Sequence, residues 1–245
     1  MKLKKFLPMA VVMLLVGLSP SARPESEKQE VKEKSLDAPN GVTIKVRMEG
    51  PYDADTPLQI VCYFKHKKTG DKTLGAAVEL DNKMGGVIAA LRNRGEFVGE
   101  ELETLLLTPP KDTIKPKLLL LVGLGDEASL SLERMERVGR IALREAAKLG
   151  VKRAAFAPLL RDQGNAKLGT GDVEQAVTRG MLLAYDTEKR LQKEGLGKSF
   201  TLEGWAVEAG PDYFDDTVRG VQKGIEEAKA AAAKRPSDPY ASGEK

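Results

Sequence analysis

The sequence predicts a single α/β domain built around a mixed sheet, and three observations carry this. Leu118 to Val122 is an apolar run that ends in a Gly123-Leu124-Gly125 turn, the pattern of a short strand buried on both faces. A helical repeat follows in Leu132, Met135, Val138, Gly139, Ala142, Ala146 and Leu149, and Gly150 stops it. Arg153 to Pro158 then reads as the next strand, and strands go on alternating with helices over residues 41–235.

Taken in order, residues 1–21 predict an export signal: basic MKLKK, an apolar stretch from Phe6 to Leu18, then small residues at Ser19 to Ala22. The apolar stretch contains Pro8 and is short for a membrane span. Residues 22–40 are charged and aromatic-free, so they read as a solvated linker. Val42 to Met48 alternates apolar and polar residues as a half-buried strand does, and Leu58 to Phe64 is a second strand. The Lys-rich turn around His66 reads as a solvated hairpin tip, with phosphate contact as the rival reading.

Met84, Val87, Ile88 and Leu91 recur at helical spacing, which predicts one helix capped by Asp81 or Asn82 and ended by Gly95. Gly85 and Gly86 fall in its first turn. Glycine there suits either close packing or a helix start open to an anion. Leu102 to Leu107 predicts another strand. The LLRDQGNAKLGTGD segment after Pro158 is a functional-loop candidate through Gly164, Gly169 and Gly171. Asp172 caps a long helix with Gln175 in capping-box position, and Val173, Ala176, Val177, Gly180, Met181 and Ala184 line its buried side. Phe200 to Val207 is a last strand holding Trp205. A final helix runs from Asp216 to Arg235, and residues 236–245 read as a disordered tail.

Charge and cysteine content narrow the function classes. The formal charge of +3 disappears once Lys2, Lys4 and Lys5 leave with the signal, which removes the electrostatic case for nucleic acid or anionic membrane. Cys62 is the only cysteine and sits mid-strand, so no internal disulfide or cysteine zinc site can form and a buried thiol is expected. Gly123-Leu-Gly-Asp-Glu-Ala128 formally fits a dinucleotide G-x-G-x-x-A pattern. The helix starts too late for it, however, and Asp126-Glu127 would repel a pyrophosphate. His66 is the only histidine, and no zinc-binding H-E-x-x-H, G-x-S-x-G or complete P-loop occurs. Asp and Glu read mostly as caps and solvated charge, so no catalytic residue, metal ligand or cofactor is assigned.

The ordered set KLLLLVGLGD, ERMERVGRIALREAAKLGVKRAAFAP and DVEQAVTRGMLLAYDTEKRL, preceded by AVELDNKMGGVIAALRNRGEFVGEELETLLL, resembles the N-terminal domain of the leucine (cytosol) aminopeptidase family over roughly Val42 to Lys234. The resemblance implies a three-layer α/β/α macrodomain-like fold with a mixed central sheet. It also implies that the family's two-metal peptidase chemistry belongs to a C-terminal domain, whose N-T-D-A-E-G-R motif has no counterpart in this sequence.

By the same resemblance, macrodomain ligand loops correspond to Asp81–Val87 and Arg161–Asp172, although the first lacks the asparagine-rich pattern of ADP-ribose binders. Candidate ligand-binding residues are therefore Asp81, Asn82, Gly85, Gly86, Gly123, Gly125, Gly164, Gly169 and Gly171. The expected function is a periplasmic or secreted, non-catalytic binding, regulatory or assembly module. Its expected partner is a peptidase, another envelope protein or itself, with no nucleic acid and no membrane span after signal cleavage. A nucleotide-type ligand-binding protein is the first alternative, and residual or partner-dependent aminopeptidase activity the second. The Gly123/Gly125 turn is expected to be architectural.

Overall fold

A computed structural model describes residues 31–236. The predicted export signal and all but the first residue of the predicted tail lie outside the described residues. A seven-stranded mixed sheet runs in the order β1-β2-β7-β6-β3-β5-β4. Its strands are β1 (Glu33–Ala38), β2 (Val42–Arg47), β3 (Leu58–Tyr63), β4 (Thr104–Leu107), β5 (Leu118–Gly123), β6 (Arg153–Ala157) and β7 (Gly204–Glu208). The five inner strands are mutually parallel, while β1 and β4 pair antiparallel at the two edges. In register, Ile60 faces Leu120 on one side and Phe156 on the other, and Ile44 faces Trp205. The expected α/β/α architecture is what the chain adopts.

Strand alternation sends side chains to two cores. One face, with Ile44, Ile60, Val122, Phe156 and Trp205, packs on α3 (Leu132–Leu149), α4 (Thr170–Lys193) and α5 (Phe214–Ala233). The other, with Val61, Tyr63, Leu119 and Leu121, packs on α1 (Gly75–Lys83) and α2 (Val87–Asn93). Trp205 stacks on Phe156 with ring centroids 6.2 Å apart, and Cys62 is fully buried, so both residues are core. Helices α3 and α4 approach until backbones touch: a Cβ on Gly139 would overlap the Val177 carbonyl oxygen, and one on Gly180 that of Glu136. Among the described residues no helix is long and apolar enough to cross a membrane.

Four expectations change. Residues 33–38 of the predicted linker form β1, paired along β2 and held by Glu33 ion pairs to Lys45 (2.9 Å) and Arg47 (3.3 Å). This edge strand is mostly exposed and keeps charged side chains, so hydropathy does not mark it. The helix predicted around residues 84–91 is two helices, because Gly85 and Gly86 both take left-handed backbone (φ 71° and 77°) and end α1 before α2 begins. Helix α4 begins at Thr170 rather than after Asp172, and Gln175 donates to Glu227 of α5 (2.7 Å) instead of closing a capping box. The last strand starts at Gly204, four residues later than expected from Phe200.

Candidate ligand-binding site

The parallel strands all end on one side of the sheet, and there the chain leaves a cavity of about 520 Å³. Strand β2 leads into it through Met48–Pro51, β6 through Ala157–Asp162 and β7 through Glu208–Pro211. The first turns of α1 (Gly75, Ala76) and α4 (Thr170, Val173, Glu174) close the walls, with Tyr213 and Thr217 at the α5 side. Carboxyl ends of parallel strands are where open α/β sheets take ligands, and the volume suits a small molecule.

The loop after β6 is held firmly. Buried Gln163 donates to the carbonyls of Cys62 and Leu159, 3.0 Å each, and accepts from the Phe64 N–H at 2.9 Å. Leu159, on the cavity wall, is buried with φ 52°, a left-handed conformation that costs a leucine about 1 kcal/mol or more. Asp162 turns back onto α1, where its carboxylate accepts from the Ala76 N–H at 2.7 Å. It sits so close that a Cβ on Gly75 would come within 2.6 Å of its Oδ1. The positive end of α1 is thus already filled by the chain's own carboxylate.

Four of the residues walling the cavity are acidic, Glu49, Asp162, Glu174 and Glu208, while Arg161 is the single basic one. The Arg161 guanidinium is spent on the carbonyls of Asn165 (3.3 Å) and Leu168 (2.8 Å) and lies over the Tyr213 ring. Glu174, on α4, is 1% exposed, and burial pushes its carboxyl up to about 8. Its Oε2 has no hydrogen-bond partner. Glu208, at the end of β7, is 8% exposed; burial and then the nearby Glu49 charge raise its carboxyl well above the usual range, against a Gln59 hydrogen bond (3.1 Å) that lowers it. Its Oε1 also has no partner. Burial likewise raises Glu49 in spite of Arg47 at 2.7 Å, and Asp162 in spite of its backbone donors.

The residues singled out from sequence fall elsewhere. Asp81 accepts from the Ile88 (2.8 Å) and Ala89 (3.2 Å) N–H groups, so it caps α2, as expected of it, but from within α1. Neither Asp81, Asn82, Gly85 nor Gly86 walls the cavity; Leu74–Ala76, at the other end of α1, does. Gly123 lies against the Glu100 carbonyl with no room for a Cβ, and Gly125 (φ 68°) accepts from the Lys65 N–H at 2.9 Å. That turn is closed by buried Arg134, which donates to the Leu124 (2.8 Å) and Asp126 (3.1 Å) carbonyls and pairs with Glu101 (2.7 Å). Gly164 ends the short turn after β6, and Gly169 stands at the cap position before α4. Gly171 is pressed onto α5, where a Cβ on Gly220 would overlap its carbonyl.

Of the two loops expected, the one at Arg161–Asp172 reaches the cavity, through Arg161, Asp162, Leu168 and Thr170. The expectation of solvated charge fails for Glu174 and Glu208, which are buried cavity-wall carboxyls. The available signal was position: Glu174 sits beside Val173 on a buried helix face, and Glu208 ends a strand otherwise apolar.

Residues 60–194, more than half of the chain, match the cytosol aminopeptidase family, N-terminal domain. The chain belongs to this family. A probable cytosol aminopeptidase from Pseudomonas syringae pv. tomato is 37% identical over 84 residues, covering 34% of this chain and 17% of that protein. One from Thermosynechococcus vestitus is 30% identical over 116 residues, 47% of this chain and 22% of that protein. The chain therefore spans about a fifth of the length of these relatives. Among solved structures, a tomato leucine aminopeptidase mutant superposes with a TM-score of 0.56 at 18% identity, covering 82% of this chain and 38% of that one. A mutant of the Oceanobacillus iheyensis macrodomain gives 0.54 at 10% identity, covering 82% of this chain and 98% of that one. At these identities the likeness concerns the fold: the cytosol aminopeptidase N-terminal domain is macrodomain-like here, and its cavity opens at the carboxyl ends of the sheet.

Proposed function

We propose that this cytosol aminopeptidase N-terminal domain is a non-catalytic, ligand-binding regulatory module that takes a small molecule at the carboxyl ends of β2, β6 and β7. The observation that carries the reading is the cavity of about 520 Å³, walled by strand ends and helix starts and backed by a loop that Gln163 ties to β3. A pre-formed, mostly apolar cleft with a few convergent polar groups is the usual form of a binding site.

The test is a ligand screen followed by amide chemical shifts of the full chain. Binding should move the resonances of Leu160, Ala209 and Gly210, and Gly210→Phe should abolish it. At Gly210 a Cβ meets only Tyr213 Cδ2, at 3.7 Å, so the backbone accepts a side chain there. Binding untouched by Gly210→Phe would move the site elsewhere. A nucleotide-type ligand is the less favoured occupant, because Asp162 already fills the α1 start that would hold a phosphate.

The proposal also places the protein outside the cytoplasm, supported by the basic, apolar and small-residue order of residues 1–22. Sequencing the amino terminus of protein recovered from the envelope or medium tests this. An intact Met1 on that material would refute it.

A further inference from the structure

We infer that the cavity takes a neutral small molecule with an apolar, mainly hydrocarbon body, and discriminates against charged molecules of the same shape. This rests on the binding-site reading above and adds the chemical class of the ligand. The wall is apolar along most of its length, through Leu74, Leu159, Leu160, Val173, Pro211 and Tyr213. Two of these keep much of their surface open, Leu74 at 60% and Tyr213 at 38%. A hydrocarbon body lying against them would take that apolar area out of water, which is the driving force such a wall can supply.

The charged groups of the wall are engaged by the chain itself or closed off. Arg161, the single basic one, donates to the Asn165 (3.3 Å) and Leu168 (2.8 Å) carbonyls. Both helix starts at the cavity already face a carboxylate. Asp162 accepts from the Ala76 N–H of α1 at 2.7 Å, and Asp172 stands over the start of α4, where a Cβ on Gly169 would come within 2.8 Å of its Oδ2. An anion therefore finds neither a free guanidinium nor an open helix end. A cation fares no better. Glu49 is paired with Arg47 at 2.7 Å, and Glu208 gives one oxygen to Gln59 at 3.1 Å and buries the other. Glu174 is 1% exposed, and burial, by lifting its carboxyl to about 8, leaves it uncharged at neutral pH.

The consequence is a difference in desolvation. An ion entering the cavity sheds its water without meeting a free counter-charge, a loss that a neutral hydroxyl suffers far less. The hydrocarbon part then sets the affinity. Each CH₂ buried should tighten binding about fourfold until the space of about 520 Å³ is filled.

The experiment uses the full chain at about pH 7 and probes matched in shape: octan-1-ol, octylamine (a cation) and octanoate (an anion), with hexan-1-ol as the shorter alcohol. Titration calorimetry gives affinities, and amide chemical shifts give the place. Octan-1-ol should bind at least about tenfold more tightly than either charged probe and about tenfold or more above hexan-1-ol, with shifts at Leu160, Ala209 and Gly210. Leu74→Ala removes apolar wall at an exposed position, where the fold tolerates truncation, and should weaken octan-1-ol about threefold or more. Either charged probe binding as tightly as octan-1-ol at those residues would overturn the inference while leaving the binding site standing. So would equal affinity for the two alcohols, or ADP-ribose bound there in preference to them. Failure of every probe, ADP-ribose included, to bind at millimolar concentration would overturn both readings, as would alcohol binding that survives Gly210→Phe.

Discussion

Replacing Glu174 by glutamine should shift stability in the favourable direction as pH rises, from a small loss near pH 5 to a net gain above neutral pH. The Glu174 carboxyl rises from an ordinary value of 4.5 to about 8 through burial alone. In the window between those values the folded chain holds a proton that the unfolded chain has lost, so folding stability falls as pH rises. The penalty begins near pH 4.5, is complete above about 8, and is absent on the acid side. Each tenfold change in proton affinity is worth about 1.4 kcal/mol, so the full penalty is on the order of 5 kcal/mol, with about 3 kcal/mol of it present at pH 7. Glutamine cannot ionise and removes this penalty. Its amide brings donors with no partner, which costs roughly 1–3 kcal/mol at every pH. That offset displaces the curve without tilting it. Urea unfolding of both proteins at about pH 5, 7 and 9 measures the difference, with m unchanged. The stability of Glu174→Gln relative to the parent should climb by several kcal/mol across that range. A difference that stays flat would mean that Glu174 ionises normally in the folded chain, and the account of the cavity's electrostatics would fall with it.

Further consequences follow from other contacts. Gly139→Ala should destabilise by about 1–3 kcal/mol although alanine favours helix by about 1 kcal/mol, because its Cβ overlaps the Val177 carbonyl; thermal unfolding checks the sign. Gln163→Ala should cost about 1–3 kcal/mol and raise amide exchange at Leu159–Asn165, since it frees the Phe64 N–H and two carbonyls at once. Burial pushes the Asp71 carboxyl up, but Arg92 and His66 hydrogen bonds outweigh it and hold the group below its usual value. Its stabilising effect is therefore present above the ordinary carboxylate range and lost as pH falls through the lowered value. Asp71→Asn should flatten that acid limb of a pH–stability curve. Cys62 should resist Ellman's reagent at about pH 8 until the chain is unfolded, because burial raises its thiol and hides it.

Much of the fold was legible because apolar periodicity survives into the core. The Leu118–Val122 run lies in β5, the Leu132–Leu149 repeat is α3 to the residue, and RAAFAP contains β6. The elements that sequence hides are those whose stability comes from partners. Strand β1 exists through its pairing with β2, and its exposed, charged side chains give no period to read. The break between α1 and α2 depends on two glycines whose left-handed backbone is visible only in three dimensions. The site was less legible than the fold, for a related reason. The glycines singled out from sequence stand outside the cavity wall, and the wall's distinctive groups are carboxyls, which a sequence places in solvent by default. Only the convergence of β7, β6 and α4 at one end of the sheet shows that Glu174 and Glu208, distant along the chain, wall the same space.

The two carboxylates also bear on why the rest of the molecule is built so tightly. A domain's net stability is typically about 5–15 kcal/mol, so a single buried carboxyl that costs several kcal/mol near neutral pH is a large concession. Nothing in the fold requires it. The neighbouring positions Val173 and Val207 are apolar, and an apolar side chain of glutamate's size would lack the desolvation cost. Opposing it are interlocked backbones at Gly139 and Gly180, the Arg134 clasp under the β5 turn, and the fully satisfied Gln163 behind the cavity loop. Concentrating unfavourable burial and a left-handed Leu159 at one cavity, on strand ends this well anchored, is the arrangement expected where binding rather than stability sets the residue choice. A gain in stability of the Glu174→Gln protein that appears only above neutral pH would show that this burial cost resides in the one carboxyl.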